Sequence, residues 1–156
     1  MINVLFVCLG NICRSPMAEA IFRDIVKKEN LTDKITVDSA ATSFWHIGSP
    51  PHKGTLSILK KYSIFGEDLV GRQITTKDFE RFDYIIGMDE NNIKNINAIT
   101  VQPHHAKIIR FLDLTDDKKD VPDPYYTGDF QETYELVSKG CIALLEMIRV
   151  EQLITK

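Results

Sequence analysis

The stretch Val4-Leu5-Phe6-Val7-Cys8-Leu9-Gly10-Asn11-Ile12-Cys13-Arg14-Ser15-Pro16 decides the fold. Residues 2–8, apolar except for Asn3, read as a strand buried on both faces, the kind found at the centre of a parallel sheet. Pro16 then opens a helix, because the first helical position has no use for the N–H that proline lacks. Met17, Ala18, Ile21, Phe22, Ile25 and Val26 recur at helical spacing, and Lys27-Lys28 suit the negative end of the helix dipole. Between strand and helix, Gly10 and Asn11 are residue types that accept the dihedrals needed to turn successive N–H groups inward. The loop therefore predicts a cradle for a phosphate-sized anion, formed by Leu9, Gly10, Asn11, Ile12, Cys13, Arg14 and Ser15. Such a cradle sits where open α/β sheets place ligands, at the carboxyl end of a strand and the N-terminus of a helix. Arg14 adds a planar, permanently charged fork. Backbone dipoles, this guanidinium and the Ser15 hydroxyl all favour a thiolate at Cys8, which makes the loop reactive as well as binding.

The rest of the chain extends the same pattern. Residues 35–38 read as a second strand with Ser39 at its end, and residues 40–51 as a loop carrying Trp45, the single tryptophan. A helix over 53–62, a helical turn over 76–79 and a strand over 84–88 follow. Asp89 reads as the cap of a helix over 90–96 rather than as a catalytic group. Residues 107–111 form a fourth strand, and from Phe130 the positions Tyr134, Val137, Cys141, Leu144, Leu145 and Ile148 trace one face of a long helix. Alternating strands and helices predict an α/β fold: a single domain, residues 1–156, with an open four-stranded parallel sheet and helices on both faces.

Composition narrows the function. With 156 residues, 44% of them hydrophobic, the chain can bury a core of its own. A net charge of −3 excludes broad attraction to nucleic acid, so affinity for an anion must be local to the Cys8 loop. No apolar run approaches membrane-spanning length, and the apolar start has no basic leader. Three cysteines without framework spacing fit a reducing compartment. These features predict a cytoplasmic protein that does not engage membranes, with export independent of a signal left open. Adjacent His104-His105 lack a third ligand at useful spacing, so neither metal nor cofactor is expected.

Cleaving a phosphate ester through a cysteine needs a proton donor. Residues 112–129 hold six aspartates. Asp123 differs from the others because Pro122 and Pro124 hold it on a stiff arm, which fits either a rigid turn or a placed acid. Tyr125-Tyr126 beside it could line a slot deep enough for a phenyl ring, with Trp45 either opposite them or merely packed. Cys13, near Cys8 in the curled loop, reads as a small buried side chain or as a resolving thiol that forms a disulfide with Cys8 under peroxide.

These residues resemble the low-molecular-weight protein tyrosine phosphatases, in the bacterial form. The likeness lies in Cys8-x5-Arg14-Ser15 and continues through Asp38-Ser39-Ala40, Gly71-Arg72-Gln73-Ile74, Phe82-Asp83-Tyr84-Ile85, Met88-Asp89 and Val121-Pro122-Asp123-Pro124-Tyr125-Tyr126. Trp45-His46-Ile47-Gly48 and Pro50-Pro51-His52 carry the bacterial character. The resemblance implies Cys8 as nucleophile, Arg14 as phosphate ligand, Asp123 as general acid and base, and Trp45, Tyr125 and Tyr126 as the substrate pocket. It also implies that Ser39 supports the loop through Asn11, alongside Ser15, and that Arg72 serves internal hydrogen bonding. Better-known members carry histidines where Tyr62 and Leu69 align, so that part of the loop support must come from elsewhere. The implied partners are phosphotyrosine-containing proteins, with inorganic phosphate or other oxyanions as product or inhibitor. A protein-arginine phosphatase is the nearest alternative, although its relatives carry threonine where this chain has Ile12. An arsenate reductase would need further cysteines within residues 61–97, which has none. A non-catalytic phosphate binder would not need Asp123.

Overall fold

The computed structural model of the protein describes residues 1–154. Strand β1, Ile2–Cys8, has β2, Ile35–Ala41, on one side and β3, Tyr84–Gly87, on the other. Strand β4, Lys107–Arg110, completes a four-stranded sheet of order β2-β1-β3-β4, parallel throughout. The apolar run of β1 explains its central place. Val4 and Phe6 pack into one core with Met17, Phe22, Phe111 and Leu144, whereas Leu5 and Val7 enter a second core with Phe79, Phe82, Ile85 and Ile96. With both faces covered, successive side chains of one strand serve two layers, which is why the run is continuous rather than alternating.

Helices α1, Arg14–Lys28, and α6, Phe130–Glu151, cover the first face. The second carries α3, Asp78–Arg81, and α4, Glu90–Ile99, while α2, Lys53–Lys61, packs beside α1 and α6. On α6 the expected inward positions Val137, Cys141, Leu144, Leu145 and Ile148 are all buried. Tyr134 is partly buried and stacks on Tyr62 of the α2 cap, with ring centroids 3.8 Å apart.

Several boundaries differ from the sequence reading: α2 and β3 end one residue early, α3 starts two residues later, α4 runs three residues further, and three more differences bear on the site. Helix α1 starts at Arg14, so Pro16 is its third residue; the first turn has no intrahelical use for its N–H groups, and proline is accommodated there as well. Strand β2 continues through polar Asp38 and Ser39 to Ala41, because its register with β1 holds as far as Cys8 opposite Ala41. Phe111 leaves β4 and begins a 3-10 turn, Phe111–Leu114. A short helix not foreseen, α5, Pro124–Thr127, ends at Gly128, whose φ of 74° is left-handed.

Candidate active site

Every segment of the site leaves the carboxyl end of a strand, with β1 and β3 adjacent and their chains departing to different faces, the topological position for ligands in such sheets. From β1 comes the loop to α1. Asn11 takes φ of 56°, the left-handed turn that brings its own N–H to 3.3 Å from Cys8 Sγ. Space at Gly10 is tight: a Cβ there would lie 3.1 Å from His46 Cδ2, so a larger residue would need that ring to give by a few tenths of an ångström. Ser15 Oγ is 3.0 Å from Cys8 Sγ.

The loop's shape is held by the Asn11 side chain. Its Nδ2 donates to Ser15 Oγ at 2.7 Å and to Ser39 Oγ at 2.9 Å, and its Oδ1 accepts from the Arg72 N–H at 3.1 Å. Asn11, Ser15 and Ser39 are buried, so each of these bonds forms away from competing water. Arg72 is itself fixed by Asp38 and Asp78, its Nη2 donating to one oxygen of each at 3.0 and 3.1 Å. The support expected of Ser39 through Asn11 and of Arg72 in internal bonding thus has its geometry in place.

Arg14 is 2% exposed and ties three elements together. Its Nη1 donates to Asp89 Oδ2 at 2.7 Å and to the Val121 carbonyl at 2.9 Å, and its Nη2 to Asp123 Oδ2 at 3.3 Å. Burial works against its charge, but Cys8, Asp123 and Asp89 outweigh that and raise its pKa further. Its buried Nε has no hydrogen-bond partner among the described residues and remains free to donate to an anion. Asp89 does more than the sequence reading gave it. Oδ1 accepts from the Asn92 N–H at 2.7 Å in a capping box on α4, while Oδ2 holds Arg14.

Asp123 caps α5, accepting from the Tyr125 N–H at 3.1 Å, and its neighbours are anchored in turn. The Val121 N–H donates to the Met88 carbonyl at 2.9 Å, and Asp120 accepts from the Glu90 N–H at 3.0 Å and from Arg110 at 3.2 Å. Cys8, Asp123, Trp45, Tyr125, Tyr126 and His46 line one cleft of about 170 Å³. Trp45, 63% exposed, is not a packing residue, and His46 is a wall the sequence reading missed. Cys13 also borders the cleft, its thiol pushed up to about 12 by burial, then by Asp123 and Cys8. No group of three His, Cys, Asp or Glu side chains among the described residues is arranged to hold a metal; His105 pairs with Asp83 at 3.1 Å instead.

A parallel α/β sheet whose first loop curls a buried cysteine and arginine around an anion-sized space defines a cysteine-dependent phosphatase architecture. The low molecular weight phosphotyrosine protein phosphatase family model matches residues 3–153, and the chain belongs to that family. It is 50% identical to the low molecular weight protein-tyrosine-phosphatase YfkJ of Bacillus subtilis, over 97% of this chain and 99% of the relative. The crystal structure of YfkJ superposes with a TM-score of 0.93, covering 97% of each chain. The low molecular weight protein tyrosine phosphatase SP-PTP from Streptococcus pyogenes gives 0.83 at 46% identity, covering 100% of this chain and 95% of that one. DARP, a drosophila arginine phosphatase, gives 0.87 at 33% identity, covering 94% and 97%. No helix among the described residues is long and apolar enough to cross a membrane.

Proposed function

We propose that the protein hydrolyses phosphotyrosine in proteins through a cysteinyl-phosphate intermediate. The observation that carries this is the convergence on one cleft of Cys8, beneath the curled loop, with Asp123 at its side and three aromatic side chains at its mouth. Cys8 Sγ, as the thiolate, attacks phosphorus in line as the bond from phosphorus to the tyrosine oxygen breaks. The N–H groups of residues 9–14 and the Arg14 guanidinium, Nε included, hold the equatorial oxygens and balance their charge. Asp123 delivers its proton to the departing phenolate. A water then attacks the cysteinyl-phosphate, Asp123 takes its proton, and phosphate leaves with the thiolate restored.

Trp45, Tyr125 and Tyr126 accept the ring of phosphotyrosine, and phosphoserine is too short to bring its phosphorus to Cys8 from the same mouth. Turnover requires Cys8 ionised and Asp123 protonated together, so the optimum is acidic; a rate rising monotonically to pH 9 would contradict this pairing. Cys13 borders the same cleft and is the candidate redox partner of Cys8.

The test is phosphate release from matched peptides carrying phosphotyrosine, phosphoserine or phosphoarginine, using wild type, Cys8→Ser and Asp123→Asn. Turnover of phosphotyrosine alone, abolished in Cys8→Ser and reduced at least a hundredfold in Asp123→Asn, is expected, since positioned acid catalysis contributes about 10²–10⁴-fold. Preference for phosphoarginine would keep the cysteine chemistry and overturn the role given to the aromatic mouth.

A further inference from the structure

Behind the loop, on the side away from the cleft, lies a carboxyl group that the phosphatase mechanism does not use. Glu19 belongs to the second turn of α1 and is 7% exposed. Its Oε1 accepts the Ser39 hydroxyl hydrogen at 2.6 Å. Ser39 Oγ accepts from Asn11 Nδ2, the same nitrogen donates to Ser15 Oγ, and Ser15 Oγ touches Cys8 Sγ. The amide of Asn11 therefore sends one N–H along each of two arms. One arm ends on the sulfur nucleophile and the other on Glu19, and each can end on a negative charge.

The charges around Glu19 do not neutralise it. Burial has the largest effect, and Asp38 on β2 and Asp68 in the link after α2 add like charge, against the Ser39 hydrogen bond and Arg23. Arg23, one turn further along α1, is engaged by Asp68 through two bonds of 2.9 Å each. From the other elements packed on α1 little opposes this: β1 contributes no charged residue, the α2 lysines Lys53, Lys60 and Lys61 are exposed, and Arg149 of α6 pairs with Glu29 at 3.5 Å. The carboxyl is pushed up to about 7.

We propose that Glu19 is a positioning residue of the phosphatase site: as a neutral acid it fixes Ser39 and thereby the Asn11 brace under Cys8, and its ionisation weakens oxyanion binding at the loop. The inference rests on residues 8–15 being the oxyanion loop. The hydrogen bond to Ser39 survives ionisation, because Oε1 is the acceptor in both states. What changes is charge. Below the transition the far arm ends on a neutral group, and the loop's dipoles serve the anion alone. Above it, a buried negative charge in the same hydrogen-bonded chain draws the Asn11 amide and the Ser39 hydroxyl towards itself and repels an incoming dianion. The proton lost by Glu19 goes to solvent, so oxyanion binding near neutrality takes a proton back up.

Tungstate, which stays dianionic across the range, is the probe. Its Kd is measured by calorimetry at pH 6.5 and 8.5 for wild type, Glu19→Gln and Glu19→Ala. Glu19→Gln keeps the acceptor for Ser39 and cannot ionise. Wild type should weaken between the two pH values about tenfold more than Glu19→Gln, a coupling of about one pKa unit. At pH 7.5, calorimetry in buffers of different ionisation enthalpy should find proton uptake on binding to wild type that is smaller in the Gln variant. Glu19→Ala, which loses the anchor for Ser39, should bind tungstate more weakly than Glu19→Gln at both pH values; should it not fold, the Gln comparison decides alone. Equal pH dependence and equal proton uptake in wild type and Glu19→Gln would overturn the proposal while leaving the oxyanion loop intact. Failure of wild type to bind tungstate at either pH would overturn the loop reading and the proposal with it.

Discussion

Asp89 offers the sharpest separation of a structural from a functional duty, because its two carboxylate oxygens do different things. Oδ1 caps α4 through Asn92, and Oδ2 holds Arg14 at 2.7 Å with the pair 2% and 19% exposed. Asparagine is as good a cap as aspartate, but it has one acceptor oxygen, and with Oδ1 committed to the cap its NH₂ group faces the guanidinium. Asp89→Asn therefore loses a charge-assisted hydrogen bond at Arg14, about 1.5–3 kcal/mol, while the helix keeps its cap. Asp89→Ala loses both, the cap adding about 1 kcal/mol. If the Arg14 contact orients the fork for transition-state charge, the first term also appears in catalysis. Both variants should then drop in kcat/KM on phosphotyrosine peptide by about tenfold or more, with urea denaturation placing Asp89→Ala about 1 kcal/mol below Asp89→Asn. Wild-type kcat/KM in Asp89→Asn would refute this and return Asp89 to the simple cap that its sequence context suggests.

Asn11→Gly keeps the left-handed backbone but removes three hydrogen bonds of the side chain, two of them buried, so kcat/KM should fall by at least tenfold at about 1 kcal/mol per bond, with the phosphate Ki rising in step. Glu19 sets a stability slope. Its folded value of about 7 lies above the ordinary 4.5, so its contribution is complete below pH 4.5 and is lost as pH rises through 7. Unfolding free energies from denaturation across pH 4.5–7.5 should lose up to about 3 kcal/mol from this residue, and the corresponding decline should be missing in Glu19→Gln. For Cys13, held as a thiol by burial, peroxide treatment followed by digestion without reductant and mass spectrometry should reveal a Cys8–Cys13 crosslink, formed faster as pH is raised towards 9. Recovery of Cys8 only as its sulfonic acid would contradict that pairing.

Much of this was legible in the residues, and for identifiable reasons. The short apolar run of β1 ahead of a Gly-containing loop fits a strand covered on both faces, and the Cys8–Ser15 loop carries its chemistry in eight consecutive positions. What escaped were contacts made across the fold. Asp89 looked complete as a cap because its second oxygen meets a residue 75 positions away. Glu19 looked like an ordinary polar position, although it sits within a stretch of α1, Met17 to Phe22, that is buried throughout; a charged residue with no room on a solvent face was the available signal. His46 gave none, since its nearness to Gly10 follows from how the 42–52 loop folds back. The extension of β2 beyond Asp38 was hidden because Ser39, Ala40 and Ala41 carry no strand signal of their own; they are held there by pairing with β1, and Ser39 also by the partners of its side chain.

The contact between Arg14 Nη2 and Asp123 Oδ2 also bears on how substrate enters and product departs. On the function proposed above, the guanidinium already has a carboxylate beside it, so an arriving phosphate would exchange for that carboxylate rather than fill a bare positive site. When inorganic phosphate forms, the carboxylate competes to return. On that reading the site resembles an ion-exchange resin with one tethered counter-ion, and the side chain proposed as the acid would also limit how tightly the product is kept.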